Sequence, residues 1–428
     1  MNLIEFLIVL FMIIVIINIL NNRIFHIQSD IALVLFSTIT SVIILIIDLL
    51  LGQKGIMESI THSLGNFDFH DYLLDYMLAL MLFTGAGQID LRRFEKNIKA
   101  ITLLSFLTTI ISSVVFGAVF YGLSILLGFE PDFFVCLLLG CIVSPTDPIA
   151  ATGILNKMGL SKDVSSVIEG ESLFNDGMGV ALFVFVKGLV TGKSGENFFI
   201  VMGREVMGAI IISLIISYIM VKLMEFTENP FNHILIGFCS VVSIYQICLR
   251  VGASGAIAAV VCGMYFAGAR HKKREFYERV DKNGRYDAFF STVDEILNSM
   301  LFVMIGLTIL SVQLANKFYD LLGMGIVATI VSRYIGVYAS TILMGKKQFP
   351  GGYSRGQFTS IMTWAALKGG LCLALAMETR AFLPENLYLG VLNTTYIIIF
   401  FTVIVQGLTV KKGYKYIENK RKSMQVSG

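Results

Sequence analysis

The sequence predicts an all-α integral membrane protein with about thirteen transmembrane helices, two of them interrupted. Of the 428 residues, 56% are hydrophobic and only 15% are charged, whereas about a quarter of the residues in soluble domains are charged. The apolar residues fall into stretches of about 20 residues, the length that crosses a bilayer. Helix-breaking residues stand in the middle of two of these stretches, at Pro145–Pro148 and at Gly369–Gly370.

The predicted spans follow one another along most of the chain, and the eighth and ninth are separated only by Arg250-Val251-Gly252. Their bounds are 3–20, 31–51, 72–90, 98–127, 132–158, 164–190, 200–226, 233–250, 252–270, 288–310, 318–345, 356–380 and 387–410. The longest loops, 52–71 and 271–287, are too short to hold a soluble domain.

Basic residues are unevenly distributed between the loops, which predicts the orientation. With the C-terminus in the cytoplasm, the alternating loops put 24 of the 33 Lys and Arg residues inside and seven outside. The remaining two, Arg333 and Lys368, lie within spans. Cytoplasmic loops carry an excess of Lys and Arg, so we predict a cell (inner) membrane protein with its N-terminus outside and its C-terminus in the cytoplasm.

The fifth span carries a carboxylate at a predicted break. Pro145 and Pro148 remove backbone donors and clash with the preceding turn, so the helix should break beside Asp147. A charge at the bilayer centre costs roughly 2.5–3.5 kcal/mol even on the mildest scales. Thr146 and Asp147 are therefore expected to form part of a site for a small cation.

The sixth span faces this break with a polar stripe. Glu171 and Asn175, like Ser172 and Asp176, are four residues apart and lie on one face of a helix. We predict that Asp176 binds a cation and transfers protons, with Thr146 and Asp147 on the opposite side. The alternative is that these polar groups only join helices, and for Glu171 pairing with Arg333 is favoured.

Lys368 stands beside paired glycines at the break in the twelfth span. Its charge is expected to offset the partial negative charge where half-helices end. Interruptions at corresponding places in spans 1–6 and 8–13 indicate an inverted-repeat transporter, with span seven as the linker. Asp294 and Glu295, near the start of span ten, are expected to pair with loop bases or to line an access funnel.

Several motifs resemble those of one transporter family. The sequences SPTDPIA (144–150) and GESLFNDG (170–177) resemble the cation/proton antiporter superfamily, specifically the NhaP-type sodium/proton antiporters related to the sodium/hydrogen exchangers. Further matching stretches are TGAGQIDLRRF (84–94), VDEILNSMLFVMIGL (293–307), SRYIGVY (332–338) and TWAALKGGLCLALA (363–376). The resemblance extends over spans 3 to 12.

The resemblance implies a thirteen-helix homodimer in which broken spans 5 and 12 cross. It also implies that a core domain moves against a dimerisation domain. The implied divisions are dimerisation helices 1–3 in residues 1–97, core helices 4–6 in 98–190, linker helix 7 in 191–230, dimerisation helices 8–10 in 231–317, core helices 11–13 in 318–410, and a basic cytoplasmic tail in 411–428.

The resemblance also implies the function, which is exchange of Na⁺ (or Li⁺) for H⁺ without a cofactor or a nucleic-acid partner. Asp176 would alternately hold a proton or a cation, and Thr146, Asp147 and Ser172 would complete the cation shell. The supporting residues would be Asn175, Glu171, Arg333 and Lys368. Electrogenic relatives carry a second Asp where Asn175 stands, which implies electroneutral one-for-one exchange here.

Two departures from the family pattern bear on the site. Family members often carry Glu where Thr84 stands, and that acid can contribute to the cation site. Many carry Arg where Lys368 stands, so the charge is kept but the planar fork is not. The open alternatives are a K⁺/H⁺ or broad monovalent cation antiporter, a passive channel, and an intramembrane aspartyl protease using Asp147 and Asp176.

Overall fold

The computed structural model describes residues 3–51, 75–129, 132–147, 149–192, 197–307, 318–345 and 349–426. Within these ranges the elements are helices, joined by short turns and two isolated bridges. The loop 52–71, Pro148 and the predicted end of span ten at 308–310 lie outside the described residues.

The first half of the chain contains helices that cover predicted spans one to six. These are α1 (Leu3–Leu20), α2 (Ser29–Leu51), α3 (Asp75–Gly87), α4 (Leu91–Thr102), α5 (Thr109–Leu126), α6 (Phe133–Val143), α7 (Ile149–Lys157) and α8 (Lys162–Val190). A π-helical segment, Asn21–Phe25, follows α1, and another, Leu103–Thr108, joins α4 to α5 without a break.

The second half begins with the helix over the predicted linker span. Its helices are α9 (Phe198–Glu225), α10 (Pro230–Val251), α11 (Gly255–Lys272), α12 (Arg274–Val280), α13 (Arg285–Leu307), α14 (Phe318–Met344), α15 (Arg355–Trp364), α16 (Gly370–Glu378), α17 (Glu385–Phe400) and α18 (Gly407–Val426). A third π-helical segment, Phe401–Gln406, joins α17 to α18.

The described helices agree with an all-α membrane protein. Nine of those in the described ranges are long and apolar enough to cross a membrane, and Met77–Gly87 and Phe133–Val143 are apolar but shorter. A helix lies over each of the thirteen predicted spans, and the helices of the fifth and twelfth are interrupted where the sequence places the breaks.

Helices extend beyond the predicted spans in three places. Span four was predicted to begin at 98, but its helix begins at Leu91, where the Asp90 carboxylate accepts a hydrogen bond from the backbone N–H of Arg93. The loop 271–287 contains the short helix α12. The predicted tail continues as helix α18 to Val426, and Tyr414 in its second turn is buried. In each case helix extends into polar sequence that hydropathy assigns to loops.

Helix α8 lies at the centre of the molecule. It packs against helices from both halves of the chain, including α4, α6, α11 and α16. Close approach to the first break depends on Gly179, because a Cβ atom there would overlap the Pro145 ring. The polar stripe of α8 is thus held against the interruption that follows α6.

Candidate cation-binding site

The two interruptions meet through their backbones. Helix α6 ends at Val143 and α7 begins at Ile149, while α15 ends at Trp364 and α16 begins at Gly370. The backbone N–H of Asp147 donates a 2.8 Å hydrogen bond to the carbonyl of Leu367. Non-helical backbone at membrane depth is tolerated only where protein or a water-filled cavity satisfies it, and here the breaks partly satisfy each other.

Lys368 crosses from the second break to the first. Its ammonium donates to the carbonyls of Ser144 (3.2 Å) and Pro145 (3.1 Å), and its backbone N–H donates to the hydroxyl of Thr402 (3.2 Å). The side chain is only 2% exposed. These carbonyls lie at the C-terminal end of α6, where the helix dipole concentrates negative charge, so the lysine neutralises that end.

Gly369 allows the two breaks to approach. A Cβ atom at this position would lie 2.7 Å from Asp147 Oδ2 and 2.9 Å from its Cβ. The glycine therefore leaves the space that the Asp147 side chain occupies beside α16.

Helix α8 is fastened to the first break by hydrogen bonds. The Ser172 hydroxyl donates to the carbonyl of Thr146. The Asn175 side-chain amide donates to Thr146 Oγ1 (2.7 Å) and accepts from the Thr146 backbone N–H (3.3 Å). Asn175 thus uses both ends of its amide to set the position of Thr146.

Glu171 forms a buried ion pair with Arg333 on α14. The guanidinium donates to both carboxylate oxygens, at 2.6 and 2.8 Å, in the bidentate geometry that suits Arg. Glu171 is 1% exposed and Arg333 is 4% exposed. The Ser105 hydroxyl donates to the Glu171 carbonyl (3.0 Å), which adds a link from the π-helical segment before α5.

A cavity of about 420 Å³ lies beside the breaks and separates the predicted residues into two groups. Thr146, Asp147, Ser172 and Asp176 all line it, so two carboxylates, two side-chain hydroxyls and nearby backbone are gathered around one space. The four other residues, which the sequence predicted as supporting, do not line it; they are Glu171, Asn175, Arg333 and Lys368.

The cavity wall also contains Glu169, which the sequence did not identify, and Asp294, for which it left two roles open. Glu169 lines it, and its carboxylate accepts a 2.8 Å hydrogen bond from Ser165. Its position seven residues before Asp176, two helical turns away on the same face, could have identified it. Asp294 lines the cavity too, as one of its two predicted roles requires, whereas Glu295 is exposed and does not.

Thr84 lies away from this cavity. Its side chain is buried on α3 and lines a smaller cavity with Arg270 and Tyr286. In the part of the chain that the structure describes, its hydroxyl has no hydrogen-bond partner. The position where relatives often carry an acid therefore adds no oxygen to the wall around Asp176.

Comparison with known proteins agrees with this architecture. The family described as "Sodium/hydrogen exchanger, transmembrane" matches residues 6–412. The chain is similar to the Na⁺/H⁺ antiporter NhaP of Pseudomonas aeruginosa, with 29% identity over 374 residues covering 84% of each chain. It is 28% identical to the Na⁺/H⁺ antiporter NhaH of Halobacillus aidingensis, over 87% of this chain and 90% of that one.

The fold is also shared with a solved structure. The sodium proton antiporter MjNhaP1 from Methanocaldococcus jannaschii superposes with a TM-score of 0.75 at 18% identity, over 97% of this chain and 99% of the other. Since the family match covers almost the whole chain, including both breaks and all of α8, the protein belongs to the transmembrane sodium/hydrogen exchanger family.

Proposed function

We propose that the protein exchanges Na⁺ (or Li⁺) for H⁺ across the membrane by alternating access, with Asp176 as the residue that holds either ion. The observation that carries this proposal is the single cavity lined by Asp147, Asp176, Thr146 and Ser172. The similar proteins named as Na⁺/H⁺ antiporters support it.

Competition for the carboxylates is the proposed mechanism. Hard monovalent cations prefer oxygen ligands, and the carboxylates of Asp147 and Asp176 in the cavity wall supply charge that a bound cation or a proton can neutralise. At membrane depth it is costly to leave both carboxylates charged with neither a proton nor a cation bound. Because one small positive ion relieves that cost, a second has less to gain, and each ion displaces the other.

The fixed positive charges lie behind the cavity wall, which favours this mechanism. Arg333 is held by Glu171, and Lys368 is directed at the carbonyls of Ser144 and Pro145. Neither Arg333 nor Lys368 lines the cavity itself. The cavity can then select a mobile cation as the partner of its acids.

Asn175 supports a one-for-one exchange. An amide cannot ionise, and this one is tied to Thr146 at 2.7 and 3.3 Å. It therefore orients Thr146 without adding a further ionisable group next to Asp176 on α8. We propose electroneutral transport on this ground.

The division into moving parts is also a proposal. Core helices 98–190 and 318–410 would move against dimerisation helices 1–97 and 231–317, with 191–230 as the linker, in a homodimer with its N-terminus outside. Hydrogen bonds between the two core segments support this unit: Thr108 bonds to Ser340 (2.7 Å), and Ser112 donates to the Ser332 carbonyl (3.2 Å). The Glu171–Arg333 pair joins the same segments.

The test is proton flux in proteoliposomes containing the full chain. Asp176→Asn should reduce cation-dependent proton flux to background, because an amide can neither release a proton nor balance a cation. Glu228→Gln, a substitution at an exposed ion pair with Arg279, is the matched control and should retain wild-type flux. Unchanged flux in folded Asp176→Asn would reject the assignment.

The same assay separates the alternatives for the ion and the mode of transport. Gradients of Na⁺, Li⁺ and K⁺ are compared, each with and without a membrane potential. We expect Na⁺ and Li⁺ to drive proton movement and the potential to have no effect. A larger K⁺ response would assign a K⁺/H⁺ antiporter, and current without proton coupling would assign a channel.

A further inference from the structure

A second large cavity lies where α18 packs against α7. Its volume is about 1110 Å³, and it is separate from the cavity around Asp176. Its wall combines the segment His26–Gln28 with the start of α2, the end of α7, the turn before α8, the loop before α15, and α18. The motifs of the proposed exchange site do not extend to it.

Basic side chains dominate the charge of this cavity. Lys157 at the end of α7 lines one wall, and Lys411, Lys415 and Arg421 of α18 line another. The three lysines are exposed and form no ion pair with any residue in the described ranges. Glu418 is the acidic residue of the lining. Four cations against one carboxylate leave a net positive surface.

The carboxylate of Glu418 is already engaged by the protein. It accepts a 2.6 Å hydrogen bond from the Tyr353 hydroxyl and one of 3.3 Å from Arg421. The Tyr353 and Tyr414 hydroxyls are 3.2 Å apart, and the Arg421 guanidinium lies 4.7 Å from the centre of the Tyr353 ring. Burial and the hydrogen bond to Glu418 raise the pKa of the Tyr353 phenol, so it remains a donor.

This arrangement positions Arg421 before any ligand arrives. The tyrosine–glutamate cluster docks α18 on the loop before α15 and restrains Arg421. Ser161 also lines the cavity, and because its oxygen accepts from the Val164 N–H, its own proton remains available to a ligand. Pre-positioned donors reduce the entropy lost on binding.

We propose that this cavity binds a phosphate-bearing anion, held by Lys157 on one side and by Lys411, Lys415 and Arg421 on the other. A phosphate group offers several strong acceptor oxygens and at least one negative charge, which matches clustered ammonium and guanidinium donors. Such a ligand bridges α7, whose far end is the break at Asp147, to the C-terminal helix. Its source is either a soluble phosphate compound or the headgroup of an anionic lipid.

The chain contains its own reporter of this helix. Trp364 is the single tryptophan of the sequence, and its indole N–H donates a 3.1 Å hydrogen bond to the Thr409 hydroxyl of α18. A bound ligand that restrains α18 should change the surroundings of the Trp364 indole and therefore its fluorescence. The experiment titrates the purified full chain in detergent, at constant ionic strength, with inorganic pyrophosphate and follows this fluorescence and the thermal midpoint.

Two triple variants make the test specific. Lys157→Gln/Lys411→Gln/Lys415→Gln removes three charges from the lining. Lys99→Gln/Lys162→Gln/Lys412→Gln removes three exposed charges that do not line the cavity. We expect saturable binding by the wild type, about tenfold or more weaker binding by the first triple, and near-wild-type binding by the second.

A lipid arm distinguishes the source of the phosphate. The same proteins are reconstituted in phosphatidylcholine vesicles with and without phosphatidylglycerol. A response that depends on the lining lysines and occurs only with phosphatidylglycerol assigns a lipid headgroup, whereas one with pyrophosphate assigns a soluble ligand. The proposal would be overturned if both triple variants lost affinity equally. It would also be overturned if neither pyrophosphate nor phosphatidylglycerol changed the fluorescence or the thermal midpoint.

Discussion

Arg333 and Lys368 are two buried cations near α8 that the protein neutralises in different ways. Arg333 faces a full negative charge, because both oxygens of Glu171 accept from it at 2.6 and 2.8 Å. Lys368 lies on backbone carbonyls of Ser144 and Pro145, at 3.2 and 3.1 Å. The first is a closed ion pair, and the second is a charge set against helix-end dipoles.

The difference indicates how a membrane protein can keep acids available for a mobile ion. Glu171 is committed to Arg333 and does not line the cavity. Lys368 stabilises the break while Asp147 and Asp176 remain in the cavity wall. A fixed pair thus serves the structure, and a cation held on dipoles leaves carboxylates for transport.

The largest expected effect on stability comes from breaking the buried ion pair between Glu171 and Arg333. Arg333→Met leaves Glu171 buried without its partner, which should lower the free energy of unfolding by about 3–5 kcal/mol. The measurement is denaturant unfolding in detergent. The double variant Glu171→Gln/Arg333→Met should recover more than half of the loss, because the orphaned charge is then removed. Wild-type stability in the single variant would contradict the structural role.

A smaller effect is expected at the other cation. Lys368→Met removes donors from two carbonyls and should cost about 1.5–3 kcal/mol of unfolding free energy, together with a reduced rate of exchange. Lys368→Arg, which keeps the charge, should lie between Lys368→Met and the wild type. The partners are backbone carbonyls, so no second side-chain substitution should rescue Lys368→Met as it does the ion pair. If Lys368→Met and Lys368→Arg were equally stable, the charge of Lys368 would not account for its contribution to stability.

The smallest effect on stability is expected where the breaks touch. Gly369→Ala brings a methyl group to 2.7 Å from Asp147 Oδ2, and overpacking of this kind costs about 1–3 kcal/mol. Because the displaced side chain is the one in the cavity, sodium-dependent proton flux should fall even where the protein remains folded. Gly356→Ala on α15, which has open space around it, is the control and should leave flux unchanged. Normal flux in Gly369→Ala would show that the contact has no role in transport.

Local patterns predicted much of the fold. Apolar stretches of membrane length, Pro145 and the paired glycines identified the helices and both breaks, because these signals act within one or two helical turns. The same local spacing placed Ser172 and Asp176 on one face of α8. It failed at Leu91 and beyond Lys411, where polar helices are stabilised by packing that hydropathy does not measure.

The sequence by itself therefore determined that Asp147 stands at an interrupted span and Asp176 on the polar face of the next span, and the motifs around them indicated the exchanger family. The sequence also favoured the pairing of Glu171 with Arg333, 162 residues away, which the structure shows. Only the tertiary structure decided that Lys368 binds the carbonyls of the opposite break, that Glu169 lines the cavity and that Thr84 does not. The physical reason is the separation along the chain over which each kind of interaction acts. Helix formation and breaking depend on neighbours in the chain, whereas the choice between neutralising partners depends on distances that exist only after the helices pack.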